Sequence, residues 1–164
     1  MGCDIHMFVE YRPKDAWMNG DYFLPEDPSV ADSPRKLIEL YGDRDYPLFA
    51  VLANVRAYNL EECIDYPRGL PDDVTKYVKD VYKIWELDAH STSYFTLQEL
   101  IDFDEEHEPR DYIGRHILRP LIDRLKQRAD ELNLIYDFQW STKRDTQELR
   151  NKANNIRIVF WFDN

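Results

Sequence analysis

Cysteine is scarce in this chain of 164 residues, in which Cys3 and Cys63 are the only two. Two cysteines without a Cys-x-x-Cys spacing form no disulfide framework and argue against a structural zinc site. No run of about 18 apolar residues occurs, so we expect no transmembrane helix and no membrane partner. The chain does not open with a basic segment followed by a long apolar run, so we expect no signal peptide and a cytoplasmic location.

Positive charge is also in short supply, because 21 lysines and arginines face 32 aspartates and glutamates. The formal net charge of −11 repels nucleic-acid phosphates at long range, so we do not expect nonspecific nucleic-acid binding. An acidic surface still permits a small anionic ligand that is held by a few local arginines. It also permits mimicry of nucleic acid, in which the acidic surface itself contacts a host protein.

Hydrophobic and aromatic residues are plentiful, at 43% and 14% of the chain. Aromatic side chains bury large areas and dominate packing, and a chain of this length suits one hydrophobic core. The sequence contains no long internal linker and no repeat that would divide it. We therefore expect a single globular domain over residues 1–164.

Strand-like patterns lie near both ends of the chain. Residues 3–12 alternate between an apolar face, which includes Cys3 and Met7, and a face that carries Asp4 and His6. Further strands are predicted at 16–23, 134–140 and 155–162. The last of these is apolar on nearly both faces, which is typical of a central, covered strand.

Apolar residues recur at helical spacing through the middle of the chain. The predicted helices are 34–41, 47–57, 72–85, 96–103 and 111–133. Ser33 and Asp72 suit the N-caps of two of them, and Thr96 with Glu99 forms a capping-box pattern. Pro120 either kinks the longest helix or begins a new one. Strands at the ends and helices between them predict an α+β fold with an antiparallel or mixed sheet.

Two short Asp-x-His segments are the main candidates for chemistry, Asp4-x-His6 and Asp88-x-His90. Side chains two apart on a strand share a face, so each pair projects together if its segment is extended. Residues 86–95 are predicted to be extended or looped. If the segments meet, the two carboxylates and two imidazoles can bind one or two divalent metal ions.

The same residues can also act without a metal. His6 or His90 then serves as a general base, and Asp88 orients the imidazole. Each motif alone is more typical of a surface aspartate beside a hydrogen-bonded histidine than of a functional site. Cys3 is a candidate nucleophile or soft metal ligand, but its apolar neighbours on the same face favour a buried, inert thiol.

Two arginines and two serines are candidates for holding an anionic substrate. A planar guanidinium suits phosphate or carboxylate, and Arg68 stands in a loop constrained by glycine and proline. Arg44 is the second candidate, although its flanking aspartates offer it partners. Ser91 and Ser93 follow His90 and can hydrogen-bond a bound phosphate.

Five segments carry a resemblance to a known group of proteins: MGCDIH, LFAVLANVR, RGLPDD, DAHSTSYFTL and RIVFWFDN. Together they span nearly the whole chain, and the chain resembles small uncharacterised proteins of bacteriophages and prophages. No activity is carried over from that family. The resemblance implies a phage setting, in which small acidic accessory proteins counteract host defences.

Three functions are compatible with these features. The first is a metal-assisted hydrolase of a small phosphorylated or nucleotide-like substrate, with Asp4, His6, Asp88 and His90 at its centre. The second is a binding protein that sequesters a nucleotide signal without cleaving it. The third is an acidic interaction protein that inhibits a host enzyme or mimics nucleic acid.

Overall fold

The computed structural model describes residues 2–58, 62–136 and 152–164 of the chain. The strands are β1 (Asp4–Tyr11), β2 (Met18–Asn19), β3 (Tyr22–Pro25), β4 (Arg35–Ile38), β5 (His90–Thr96) and β6 (Ile156–Asp163). The helices are α1 (Tyr46–Ala53), α2 (Lys76–Trp85), α3 (Leu97–His107) and α4 (Arg119–Tyr136). This arrangement confirms the predicted α+β fold, in which strands from both ends of the chain form the sheet.

The main sheet is antiparallel and has the strand order β2-β1-β6-β5, while β3 and β4 form a separate two-stranded sheet. β6 is central, with β1 on one side over eight residue pairs and β5 on the other. Helices cover both faces of this sheet, which explains why residues 155–162 have almost no polar face.

The larger core lies on one face of the sheet. Ile5 and Met7 of β1, together with Phe160 and Phe162 of β6, point into it. Buried leucines from α1, α3 and α4 fill the same side, among them Leu48, Leu100, Leu121 and Leu125. Cys3 is buried there as predicted, with 1% of its surface exposed.

The smaller core lies on the opposite face, beneath α2. Phe8, Val159 and Trp161 project from β1 and β6 and pack with Val78 of α2. α2 begins at the N-cap Thr75, whose side chain accepts a hydrogen bond from the Val78 amide. The sequence predicts Asp72 as the N-cap of this helix, and that prediction is wrong because Thr75 occupies the position.

Residues 34–41 are not the predicted helix, because Arg35–Ile38 form β4 and pair with β3. Pairing with β3 gives the backbone N–H and C=O groups of these residues hydrogen-bond partners, whereas a helix of about two turns leaves most of them unpaired. The predicted strand at 16–23 divides into β2 and β3 around Gly20. Leu134–Tyr136 belong to α4 and not to a strand, and residues 137–140 lie outside the described part of the chain.

Two helix starts follow their predicted chemistry. The capping box of Thr96 and Glu99 is present at α3, with both reciprocal hydrogen bonds formed. α4 begins at Arg119, so Pro120 occupies its first turn, where proline is tolerated, and does not kink it. Among the described residues, no helix is long and apolar enough to cross a membrane.

Candidate ligand-binding site

The histidines of the two Asp-x-His segments project from opposite faces of the main sheet. His6 of β1 is directly opposite Trp161 of β6, whereas His90 of β5 is directly opposite Phe162. Successive residues of a strand point to opposite faces, so the imidazoles project to opposite sides of β6. The two histidines therefore do not share one site, so the condition for a combined site is not met by the imidazoles.

Asp88 does not share a face with His90 either. β5 starts at His90, and Asp88 lies in the turn after α2, where its amide donates to the Trp85 carbonyl at 2.8 Å. The Asp88 side chain is exposed. Residues 86–95 are looped before His90 and extended after it, so the condition for Asp88 and His90 to share a face is not met.

Asp4 and Arg44, predicted as a metal ligand and an anion-binding residue, bind each other. Arg44 Nε and Nη2 donate to the two Asp4 carboxylate oxygens at 2.5 and 2.9 Å. The hydrogen bond from Arg44 holds the pKa of Asp4 below its ordinary value. Each group thus satisfies the charge of the other, which leaves both less suited to the roles that the sequence predicted.

His6 has a carboxylate partner that the sequence did not reveal. Its Nε2 lies 3.1 Å from Oδ2 of Asp163, at the end of β6, and both side chains are 18% exposed. The ring lies against Trp85, with 4.3 Å between centroids. A carboxylate-oriented imidazole is one part of a general base, but none of the cavities described below includes it.

The metal-binding prediction finds no support in this geometry. Among the described residues, no group of three or more histidine, cysteine, aspartate and glutamate side chains is placed to hold a metal ion. A divalent metal bound through His6 and His90 would need both imidazoles on one face of the sheet. The metal therefore stays a prediction.

His90 and Ser91 lie at an irregularity of β5. The register shifts between His90 and Ser93, and Ser91 has a left-handed backbone with φ of 52°. His90 Nδ1 lies 3.1 Å from Ser91 Oγ. Bulges of this kind re-aim side chains at strand edges, and here the bulge places His90 against Phe162.

Arg68 and Ser93 close the outer edge of β5. The Arg68 amide donates to Ser93 Oγ, and its guanidinium binds Asp65 at 3.0 Å and Glu99 at 2.8 Å. The guanidinium also lies over the Phe95 ring at 4.6 Å. Covering an edge strand prevents pairing with other chains. These contacts are structural, and the ligand-binding role of Arg68, Ser91 and Ser93 stays a prediction.

A different surface combines positive charge, aromatic rings and a cavity. This tyrosine–arginine cavity, of about 300 Å³, lies between α1 and the loop that joins α3 to α4. Its lining residues are Tyr46, Pro47, Ala50, Arg56, Tyr58, Arg110, Asp111 and Tyr112. Pro47 and Ala50 give an apolar surface, and two guanidiniums and three phenol rings surround it.

Arg56 reaches the cavity from a strained backbone after α1. The helix ends at Asn54, and Asn54 and Arg56 both have positive φ, at 57° and 53°. Such conformations cost free energy in residues other than glycine and cluster at functional sites. Arg56 Nη1 donates to the Tyr58 hydroxyl at 3.1 Å, which holds the pKa of Arg56 above its ordinary value.

Arg56 also connects the cavity to β1. Burial raises the pKa of the Cys3 thiol, and a hydrogen bond and charge interaction with Arg56 oppose that rise. The charge of Arg56 is therefore felt at residue 3, which directly precedes β1.

Arg110 and Tyr112 enter the cavity from a hairpin formed by residues 109–117. The Asp111 amide donates to the Arg115 carbonyl, and the Ile117 amide donates to the Pro109 carbonyl, both at 3.0 Å. Asp111 Oδ1 accepts from the Ile113 and Arg115 amides. These hydrogen bonds fix the hairpin without using Tyr112.

Arg115 ties this hairpin to the start of α1. Its two Nη atoms each donate to one carboxylate oxygen of Asp45 at 3.1 Å. Asp45 is the N-cap of α1 and accepts from the Leu48 amide as well. The two walls of the cavity are therefore joined by a bidentate ion pair, which fixes their separation.

A larger cavity of about 500 Å³ lies between α3 and α4, but acidic residues outnumber basic ones in its lining. It is lined by Asp102, Glu105 and Asp130 together with Lys126 and Lys152. Lys152 donates to Asp130 at 2.5 Å. Its lining therefore gives no preference for an anion, whereas two arginines and one aspartate line the tyrosine–arginine cavity.

No strong signal in the sequence points to this site. Arg56 falls at the end of the predicted helix 47–57, and Arg110 is one charge in an acidic loop. Their proximity depends on contacts between segments more than 50 residues apart. Comparison with protein-family models, curated proteins and solved structures finds no match for the chain. Function must therefore be argued from the site itself.

Proposed function

We propose that this protein binds and sequesters a small phosphorylated or nucleotide-like anion in the tyrosine–arginine cavity. The observation that carries the proposal is the pair of guanidiniums, from Arg56 and Arg110, in one cavity of a protein with a net charge of −11. Clefts of one charge sign concentrate ligands of the opposite sign. Positive charge placed locally against the sign of the whole molecule favours an anionic ligand.

Most neighbouring carboxylates already have partners. Asp111 is bound by Arg115 at 2.7 Å and by two amides of the hairpin. Glu108 lies 3.5 Å from Arg110, a long separation for an ion pair, and the Arg110 side chain is 51% exposed. A phosphate can accept two hydrogen bonds from one guanidinium at once, so it binds Arg110 more strongly than this single long contact with Glu108 does.

The cavity is better suited to binding than to cleavage. Its described lining residues include no histidine, cysteine or serine, and Asp111 is its one carboxylate. Because Arg115 and the hairpin amides already occupy Asp111, it is poorly placed as a general base. Phenol rings and guanidiniums supply contact area and charge, which are the requirements of a binding protein.

The resemblance to phage proteins suggests the setting for this proposal. A phage accessory protein that removes a nucleotide signal from solution would blunt a host defence without any catalysis. Sequestration requires a protein concentration comparable with that of the signal and a slow release of the ligand. The metal-assisted hydrolase remains the alternative proposal, and the described lining of this cavity includes none of its four central residues.

Calorimetric titration with the 5′-monophosphates of adenosine, guanosine, cytidine and uridine tests the proposal. We expect at least one to bind, and Arg110→Gln to weaken that binding about tenfold, as for a lost charged hydrogen bond. Arg119→Gln is the matched control, because Arg119 is 50% exposed and also has one carboxylate partner at 3.5 Å. Absence of binding by all four nucleotides, or equal effects of the two variants, would refute the proposal.

The fate of the ligand separates sequestration from hydrolysis. After incubation with the nucleotide that binds, the protein is denatured by heat and the supernatant is analysed by chromatography. Sequestration predicts that the nucleotide is recovered intact, with or without EDTA. A new product that disappears with EDTA, and with His6→Ala, would instead support the metal-assisted hydrolase.

A further inference from the structure

We infer that the tyrosine–arginine cavity has two subsites, a phosphate subsite at Arg56 and Arg110 and a nucleobase subsite at Tyr112. The ligand class is then a nucleoside monophosphate, as opposed to inorganic phosphate or a sugar phosphate. This inference rests on the proposed function and assigns a separate role to the aromatic ring.

Tyr112 is exposed although its backbone is rigidly held. Its side chain is 88% exposed at the tip of the 109–117 hairpin, where the positive φ of Gly114, 78°, completes the turn. A large aromatic ring in water is a free-energy loss that burial against a ligand recovers. Because the hairpin backbone is already ordered, a base that stacks on this ring pays little additional conformational entropy.

The second exposed ring is Tyr58, which is 73% exposed and lies beside Arg56. Tyr58 and Tyr112 thus belong to different walls, and each stands near one of the two arginines in sequence. A base contacting a ring and a phosphate contacting a guanidinium are the two requirements for nucleotide recognition. A sugar phosphate would leave both rings in water.

The volume of the cavity limits the ligand. At about 300 Å³ it lies at the small end of the range for ligand sites in proteins. Its apolar surface, formed by Pro47 and Ala50, is wide enough for one planar base. A single nucleoside monophosphate therefore fits this site better than a longer oligonucleotide.

Calorimetric titration of the full chain with three probes tests the two subsites: the tightest of the four nucleoside monophosphates, ribose 5-phosphate and inorganic phosphate. We expect the nucleotide to bind at least about tenfold more tightly than ribose 5-phosphate, which is a typical contribution of base stacking. Tyr112→Ala should abolish this advantage, and Tyr112→Phe should keep it because stacking needs the ring and not the hydroxyl. Arg110→Gln should weaken the binding of the nucleotide and the binding of ribose 5-phosphate by a similar factor.

Tyr66→Ala is the matched control, because Tyr66 is 71% exposed in a loop outside the cavity. It should leave all three affinities unchanged. Equal affinities for the nucleotide and ribose 5-phosphate would overturn the base subsite but leave the anion site standing. The base subsite would also be overturned if Tyr112→Ala weakened the binding of the nucleotide and of ribose 5-phosphate by the same factor. If none of the probes binds the wild-type protein, the proposed function itself fails.

Discussion

Asp21 is a carboxylate held almost out of water beside β1. It is 9% exposed, and its oxygens accept hydrogen bonds from the Val9 amide at 2.9 Å and the Asn19 side chain at 2.7 Å. Burial raises its pKa to about 6, although both hydrogen bonds and the charge of Arg128 act in the opposite direction. The charged form of Asp21 is therefore destabilised in the folded protein.

This pKa predicts how stability depends on pH. Because the folded pKa lies above the unfolded value, the folded state binds the proton more tightly between pH 4 and 6. The contribution of Asp21 to stability is thus complete below pH 4 and is lost as the pH rises through 6. The change is at most about 3 kcal/mol, from roughly two pKa units.

Urea unfolding of the wild type and Asp21→Asn at pH 4.5, 5.5 and 7 measures this effect. The difference in unfolding free energy between the two proteins should shift in favour of Asp21→Asn as the pH rises. Asp32→Asn, at an exposed loop position, serves as the control, and its unfolding free energy should change with pH as that of the wild type does. A constant difference between Asp21→Asn and the wild type would show that Asp21 has an ordinary pKa.

The burial of a side chain could be predicted where the pattern of its neighbours in sequence decides it, and its distant partners could not. Burial of Cys3 followed from strand alternation, which involves only its neighbours. The partner of His6 is Asp163, 157 residues away, and the partner of Arg44 is Asp4. Each aspartate was one of many in an acidic chain, so no spacing rule could select it.

A buried ion pair joins three elements of the fold. Glu10 of β1 is fully buried and accepts from Arg157 of β6, at 2.7 Å to Nη2. Its other oxygen accepts from the Thr75 amide, at the start of α2. Arg157 also binds Asp73 and lies under the Trp17 ring. The network fixes α2 against the sheet and thereby places Trp85 over His6.

Glu10→Gln should therefore lower the free energy of unfolding by about 3 kcal/mol, as expected when one partner of a buried pair is removed. Arg157 would keep its hydrogen bond to Asp73, which limits the loss of unfolding free energy. Asp80→Asn, which breaks the exposed contact with Lys76, should leave the unfolding free energy nearly unchanged. Equal effects of the two substitutions in urea unfolding would show that the buried network contributes little.

Elements with long, regular patterns were predicted well, and short ones were not. β1, β6 and the capping box of α3 carry their signal in adjacent residues. Residues 35–38 form a strand because β3 is available to pair with them, a tertiary effect that their own helix-like pattern does not contain. The N-cap of α2 also differs from the prediction: Thr75, whose amide is held by Glu10 of β1, caps the helix and Asp72 does not.

Across the whole molecule, the α+β arrangement followed from strands at both ends and helices between them. The ligand site did not, because it is assembled from the end of α1 and the 109–117 hairpin. The sequence directed attention to histidines, which are rare in this chain and chemically versatile. The structure instead directs it to arginines and tyrosines, whose significance depends on a shared cavity and on charge opposite to that of the molecule.

Titration of ¹⁵N-labelled protein with adenosine 5′-monophosphate, followed by amide chemical shifts, tests this assignment of the site most directly. If the nucleotide occupies the tyrosine–arginine cavity, saturable shifts will concentrate at Ala50, Arg56, Arg110 and Tyr112 and will be weakened by Arg110→Gln. Shifts that concentrate instead at His6, Asp163 and Trp85, or no saturable shifts at millimolar nucleotide, would be inconsistent with a nucleotide site between α1 and the hairpin.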